Sequence, residues 1–169
     1  VLREACYQCK KWDDNGYPDY KVNVNLSVVQ LLQADIVDIV EKTIHEVGIN
    51  PHNLTLEVTE SLAINDMERM KEILGSIKKL GVRIALDDFG TGYSNLSKME
   101  EVGFDLIKLD KSLIWPCFEE DSEGAKVILN SCVDMIHRLG RHIVAEGVET
   151  QEQADMLTEK GVAYLQGDY

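Results

Sequence analysis

Six short apolar runs recur along this chain with a helical pattern between successive runs, and that alternation restricts the fold more than any other feature. The runs cover residues 20–26, 54–60, 84–86, 105–110, 142–146 and 162–167, each of strand length. Between them, apolar residues fall at helical spacing. Leu32, Ile36, Val40 and Ile44 form one such series, and Met67, Met70, Ile73, Leu74, Ile77 and Leu80 another. Leu96, Met99 and Val102 predict a short helix; Ile128, Leu129, Cys132, Ile136 and Leu139 predict a longer one with Cys132 as core filler. Ser27 with Gln30 and Thr150 with Gln153 read as capping boxes, and Gly48, Gly81, Gly103, Gly140 and Gly161 stand where helices stop. Strands alternating with helices across short loops require parallel pairing and right-handed crossovers.

Each run ends in a polar residue. Asn25, Glu57 with Glu60, Asp87 with Asp88, Lys108 with Asp110, Glu146 with Glu149, and Gln166 all sit at or just past a C-terminal strand end. An open doubly wound sheet gathers its ligand groups at one switch point. A (β/α) barrel brings all such ends to one mouth, and is the better match. The expected fold is therefore a modified TIM-type (β/α) barrel, incomplete here because six strands are visible where a closed barrel has eight. The 169 residues are expected to form a single domain cut at both ends, starting inside a helix and stopping just after a strand. Exposed strand edges on such a fragment predict a tendency to associate.

Ile84, Ala85 and Leu86 lead straight into Asp87 and Asp88 and then a glycine turn. Adjacent carboxylates repel, so a strand that stops there calls for positive charge beside them. Seven carboxylates at one mouth, with Lys108 as their obvious counter-charge, would be destabilising without cations. Oxygen ligands with no histidine among them point to Mg2+ or Mn2+ rather than zinc. Two such ions about 4 Å apart suit in-line attack on phosphorus. The plainer reading makes some of these acids helix N-caps or exposed strand-end groups, and makes Lys108 a strand-end partner of Asp110.

Composition narrows the partners. Thirty acidic residues against 17 basic ones give a net charge of −13, which argues against binding long nucleic acid, where cationic side chains dominate. No apolar run nears the roughly 20 residues needed to span a bilayer, and the first 15 residues do not resemble a signal peptide. Cys6 and Cys9 form a CxxC without a second ligand pair at zinc spacing, so they read as two cysteines on neighbouring helical turns. The acids of residues 13–18 lack calcium-loop spacing and read as a solvated turn. His45, His52, His137 and His142 offer no shared metal spacing.

Taken in order, Val24-Asn25-Leu26-Ser27, Leu56-Glu57-Val58-Thr59-Glu60, Asp87-Asp88-Phe89-Gly90-Thr91-Gly92-Tyr93, Ile107-Lys108-Leu109-Asp110, Ala145-Glu146-Gly147-Val148-Glu149 and Gln166-Gly167 resemble the successive motifs of EAL domains, the bacterial cyclic di-GMP phosphodiesterases. The resemblance spans essentially the whole chain. It implies hydrolysis of cyclic di-GMP to linear pGpG with two Mg2+ or Mn2+ ions. It further implies that Asn25, Glu57 and Asp87 hold one ion, and that Asp87, Asp88 and Glu146 hold the other with Asp110 beside it. Lys108 would position or deprotonate the attacking water, and Glu60 would steady the loop after Asp88. Gly90, Thr91 and Gly92, with Asp88, would line the substrate site, and Glu149 and Gln166 would contact or orient the substrate. The family's Glu-Ala-Leu motif is absent because the chain begins downstream of it, and Asn95 stands where a serine is usual. Leu109 and Leu113 replace other apolar residues there. The resemblance implies a cytoplasmic domain, or the cytoplasmic part of a membrane-anchored protein, fused to sensory or GGDEF-type domains and able to form a homodimer. The alternative it leaves is a catalytically inactive cyclic di-GMP receptor or protein-interaction module. An unrelated magnesium-dependent barrel accommodates the charges but not the ordered motifs.

Overall fold

The computed structural model describes residues 1–59, 67–91 and 100–168, which cluster as two compact units, Val1–Ala85 and Leu86–Tyr169. In the first unit, helix α1 (Leu2–Asp14) turns Cys6 and Cys9 to one buried side and ends at Asn15, within the predicted turn cluster. Strand β1 (Val22–Asn25) follows, with α1 packed against it. The Ser27 and Gln30 box forms, but it caps a separate short helix, α2 (Val28–Leu31). The long helix α3 (Ile36–Val47) starts only after it, which corrects the expectation of one helix from the box onward. Leu31 is fully buried and Leu32 is not. Leu31 and Ile36, five residues apart, cannot share one face of a continuous helix of 3.6-residue period, so the chain breaks between them.

Strand β2 (Leu54–Thr59) pairs with β1 in parallel, placing Asn25 beside Glu57 and Asn23 beside Thr55. Alternation then gives this pair a polar face of Asn23, Asn25, Thr55 and Glu57 and an apolar face of Val22, Val24, Leu54 and Leu56. Helix α4 (Met67–Lys79) carries the fully buried Leu74 and Ile77, and strand β3 (Arg83–Phe89) crosses the boundary between the units. The sequence predicts that this strand stops at its carboxylates; it instead runs through both of them to Phe89.

In the second unit, strand β4 (Leu106–Leu109) is followed by helix α5 (Lys111–Ile114) and a 3-10 turn (Trp115–Phe118), elements that the apolar spacing did not reveal. Helix α6 (Glu123–Arg138) buries Leu129, Val133 and Ile136. Ile128, predicted on the apolar face, is 56% exposed, because Leu129 rather than Ile128 keeps phase with Val133 and Ile136. Cys132 is half-buried, at the margin of that face. Strand β5 (His142–Glu146), helix α7 (Gln151–Glu159) and strand β6 (Tyr164–Gln166) complete the unit. β4, β5 and β6 pair in parallel, and the sheet order is β1-β2-β3-β4-β5-β6. Of the predicted helix over Leu96, Met99 and Val102, the described residues include the end, where Val102 is helical and buried and Gly103 follows at φ +69°; Leu96, Met99 and Asn95 lie outside the described residues.

The second capping box is formed in full: Thr150 accepts from the Gln153 amide while the Gln153 side chain accepts from the Thr150 and Glu149 amides. Thr150→Ala should therefore cost about 1 kcal/mol, read as a lower midpoint in thermal denaturation. Burial pushes the Cys6 thiol up to about 11, with Cys9 adding to the shift, and raises Cys9, Cys117 and Cys132 as well. All four cysteines are free. Such thiols are poor nucleophiles, which supports a packing role for the CxxC pair. The four histidines are exposed. Among the described residues, no helix is long and apolar enough to cross a membrane.

Candidate metal-binding site

The site begins with the parallel register of β4 and β5. Lys108 lies beside Val144, and Glu146 is two residues further along the same face. A lysine so placed can extend toward the C-terminal end of the strands, and Lys108 does: its Nζ is 2.8 Å from Glu146 Oε1 and 3.0 Å from Asp87 Oδ1. The ammonium is almost wholly buried, with a side chain 4% exposed. The plainer reading, in which Lys108 pairs with Asp110, is not what its ion pairs show. One buried cation instead joins two carboxylates from different strands, offsetting charge that neither could shed to water.

Asp88 supplies the third acid through its backbone. In a regular strand, neighbours point to opposite faces, so Asp87 and Asp88 could not share a site. Asp88, however, has φ +59°, in the left-handed region that aspartate tolerates better than most residues. The Asp88 amide donates to Asp87 Oδ1 at 3.0 Å, and the Thr91 hydroxyl donates to the Asp88 carbonyl at 2.9 Å, closing the turn behind it. With alternation broken, Asp87, Asp88 and Glu146 each offer an oxygen within 4.8 Å of the others. Gly90 is required in this turn twice over: its φ is +106°, and a Cβ there would run into the Leu113 side chain.

The first unit holds its own polar pair. Glu57 is 4% exposed and accepts at Oε1 from Asn23 Nδ2 at 2.8 Å, while its register partner Asn25 is exposed. Asn23 was missed in the sequence, although its spacing of two from Asn25 already placed it on the same strand face.

Other expected residues are not among these three clustered acids. Asp110 caps helix α5, accepting from the Ser112 amide at 2.9 Å, which is the plainer reading of a strand-end acid. Glu149 and Gln166 are exposed, and Gln166 stands beside Glu146 in the β5–β6 register. Glu60 and Gly92 lie outside the described residues. A second residue missed in the sequence is Trp115, whose indole N–H donates to the Gly147 carbonyl at 2.8 Å.

Three carboxylates with no nitrogen or sulfur donor among them match hard divalent cations, and Lys108 supplies positive charge to two of the three.

A family model described as EAL domain matches residues 1–169. The chain is 36% identical over 167 residues to the signaling protein YkoW of Bacillus subtilis, covering 99% of this chain and 20% of YkoW. It is 39% identical over 167 residues to the bifunctional diguanylate cyclase/cyclic di-GMP phosphodiesterase MucR of Pseudomonas aeruginosa, covering 99% of this chain and 24% of MucR. The chain thus spans about a quarter or less of these relatives' own length. The solved structure of the MucR phosphodiesterase in complex with c-di-GMP superposes with a TM-score of 0.91 at 39% identity, covering 98% of this chain and 66% of that one. The likeness bears out the expected modified TIM-type (β/α) barrel class.

Proposed function

We propose, from the premise that this chain belongs to the EAL domain family, that its parent protein hydrolyses cyclic di-GMP to linear pGpG and so ends a bacterial second-messenger signal. The observation that carries this reading is the convergence of Asp87, Asp88 and Glu146, with Lys108 bonded to two of them, at the ends of three strands. The phosphodiesterase name of MucR and the cyclic dinucleotide in its structure support the same substrate.

Asp87, Asp88 and Glu146 would hold one Mg2+ or Mn2+ ion with Asp110 beside it, and Asn25 and Glu57, with Asp87, would hold a second. Bound there, the ions supply charge neutralisation for the phosphodiester and acidify an attacking water. Lys108 would position or deprotonate that water. Asn23 holds Glu57 in place through its amide, the kind of supporting contact that fixes a ligand's orientation. Glu60 steadies the loop after Asp88; Gly90, Thr91 and Gly92 let its backbone approach the substrate; Glu149 and Gln166 orient the dinucleotide. The domain works in the cytoplasm, fused to sensory or GGDEF-type partners, and pairs as a homodimer.

The test is turnover of cyclic di-GMP by the purified protein with Mn2+ or Mg2+, followed by chromatographic separation of products. We expect pGpG to form, to vanish with chelator, and to fall about 100-fold or more in Glu57→Ala, since even outer contacts to metal ligands cost 10- to 100-fold. Metal-dependent binding of the intact dinucleotide without turnover would replace the enzyme by a receptor.

A further inference from the structure

Glu146 is the last residue of β5, and the chain continues through a glycine with φ +67°. A glycine there lets the strand end pivot, so what fixes Glu146 must be found next to it. Two residues of the connection after β4 meet Gly147. Trp115 Nε1–H donates to the Gly147 carbonyl at 2.8 Å across 32 residues of sequence. Lys111 packs its stem against the Gly147 α-carbon so closely that a Cβ at 147 would lie 2.8 Å from Lys111 Cβ. The Lys111 ammonium, in turn, sits 4.6 Å from the centroid of the Trp115 ring. On the following residue, the Val148 amide donates to the Gln166 carbonyl at 3.1 Å.

The half-buried indole N–H needs an acceptor, and the acceptor is the main chain one residue past Glu146. The lysine stem and the indole thus take hold of Gly147 at its α-carbon and its carbonyl. With the pivot removed, Glu146 keeps its carboxylate within reach of Asp87 and Asp88. Metal ligands must be held to within about 0.5 Å, and the groups that hold them carry measurable affinity.

We propose that Trp115, backed by Lys111, is a positioning residue that fixes Glu146 for divalent-cation binding; the proposal rests on the metal-dependent reading above. Neither residue touches the ion. Trp115→Phe keeps one aromatic ring but deletes the N–H together with the second ring of the indole, so it should weaken Mn2+ binding about 3- to 10-fold, the range of one hydrogen bond. Lys111→Ala, an exposed change, should weaken it about 2- to 5-fold.

The measurement is titration of Mn2+ alone into the protein, following the free-ion signal by electron paramagnetic resonance. Turnover in Trp115→Phe should fall at limiting Mn2+ and recover at saturating Mn2+, which a merely structural role would not produce. A folded Trp115→Phe that binds Mn2+ as tightly as wild type overturns the positioning role and leaves the phosphodiesterase reading standing. If Trp115→Phe does not fold, unchanged Mn2+ affinity in Lys111→Ala overturns it equally. A wild-type protein that binds no Mn2+ overturns the reading and the proposal with it.

Discussion

Lys108→Met should destabilise the metal-free protein by about 3 kcal/mol and abolish turnover. The magnitude follows from burial. Lys108, Asp87 and Glu146 have side chains 4%, 13% and 19% exposed, so water can screen little of the charge left behind when the ammonium is removed. Breaking a buried pair by deleting one partner costs roughly 3 to 5 kcal/mol because the other charge is stranded. Here one deletion takes the ammonium from two carboxylates, while the methionine keeps most of the apolar stem in place. Divalent cations bound at the same acids should restore part of the loss, since binding to the folded state alone adds RT ln(1 + [L]/Kd). Urea denaturation in chelator and again in Mn2+ reads both effects. Equal midpoints for wild type and Lys108→Met in chelator would mean that the lysine bridge carries no net stability, and the charge argument for the site would fail with it.

Much of this arrangement was legible in the chain, for physical reasons that also mark where legibility ended. Strand ends could be read because an apolar run that stops at a polar residue is costly unless the end faces something polar; Asn25 and Glu146 close β1 and β5, whereas β2 and β3 run on past Glu57 and Asp87 to Thr59 and Phe89. The same rule could not separate a ligand from a cap. Asp110 satisfies it by accepting from the Ser112 amide. Sequence spacing also misjudged partners that depend on register. Lys108 is two residues before Asp110 in sequence, yet its ion pairs go to Asp87 and Glu146, and only the offset of β4 against β5 dictates the second of these. Helix phase failed by one residue at Leu31 and again at Ile128, because a list of apolar positions does not say which of two neighbours keeps phase with the rest. Trp115 escaped notice altogether. Its acceptor is a main-chain carbonyl 32 residues away, and no pattern of side chains announces a backbone contact.

The left-handed backbone at Asp88 sets stability against function at one residue, which gives the second large prediction. An L-residue at φ +59° carries a steric penalty of about 1 kcal/mol that glycine does not, and Asp88 adds a third negative charge beside Asp87 and Glu146. Asp88→Gly relieves both. Part of the gain is lost again because glycine has more freedom in the unfolded chain, so the metal-free variant should be more stable than wild type by up to about 1 kcal/mol. The same change deletes a ligand, and Mn2+ affinity should drop by about 100-fold with loss of turnover. At a Mn2+ concentration 100 times the wild-type Kd, the wild type gains about 2.7 kcal/mol and the variant only about 0.4 kcal/mol. The order of the two stabilities should therefore reverse: Asp88→Gly melts higher in chelator and wild type melts higher in Mn2+. A variant that is more stable under both conditions would show that Asp88 holds no cation. A variant less stable under both would show that its interactions at this turn outweigh the backbone penalty, so that the conformation is a consequence of packing and not strain retained for binding.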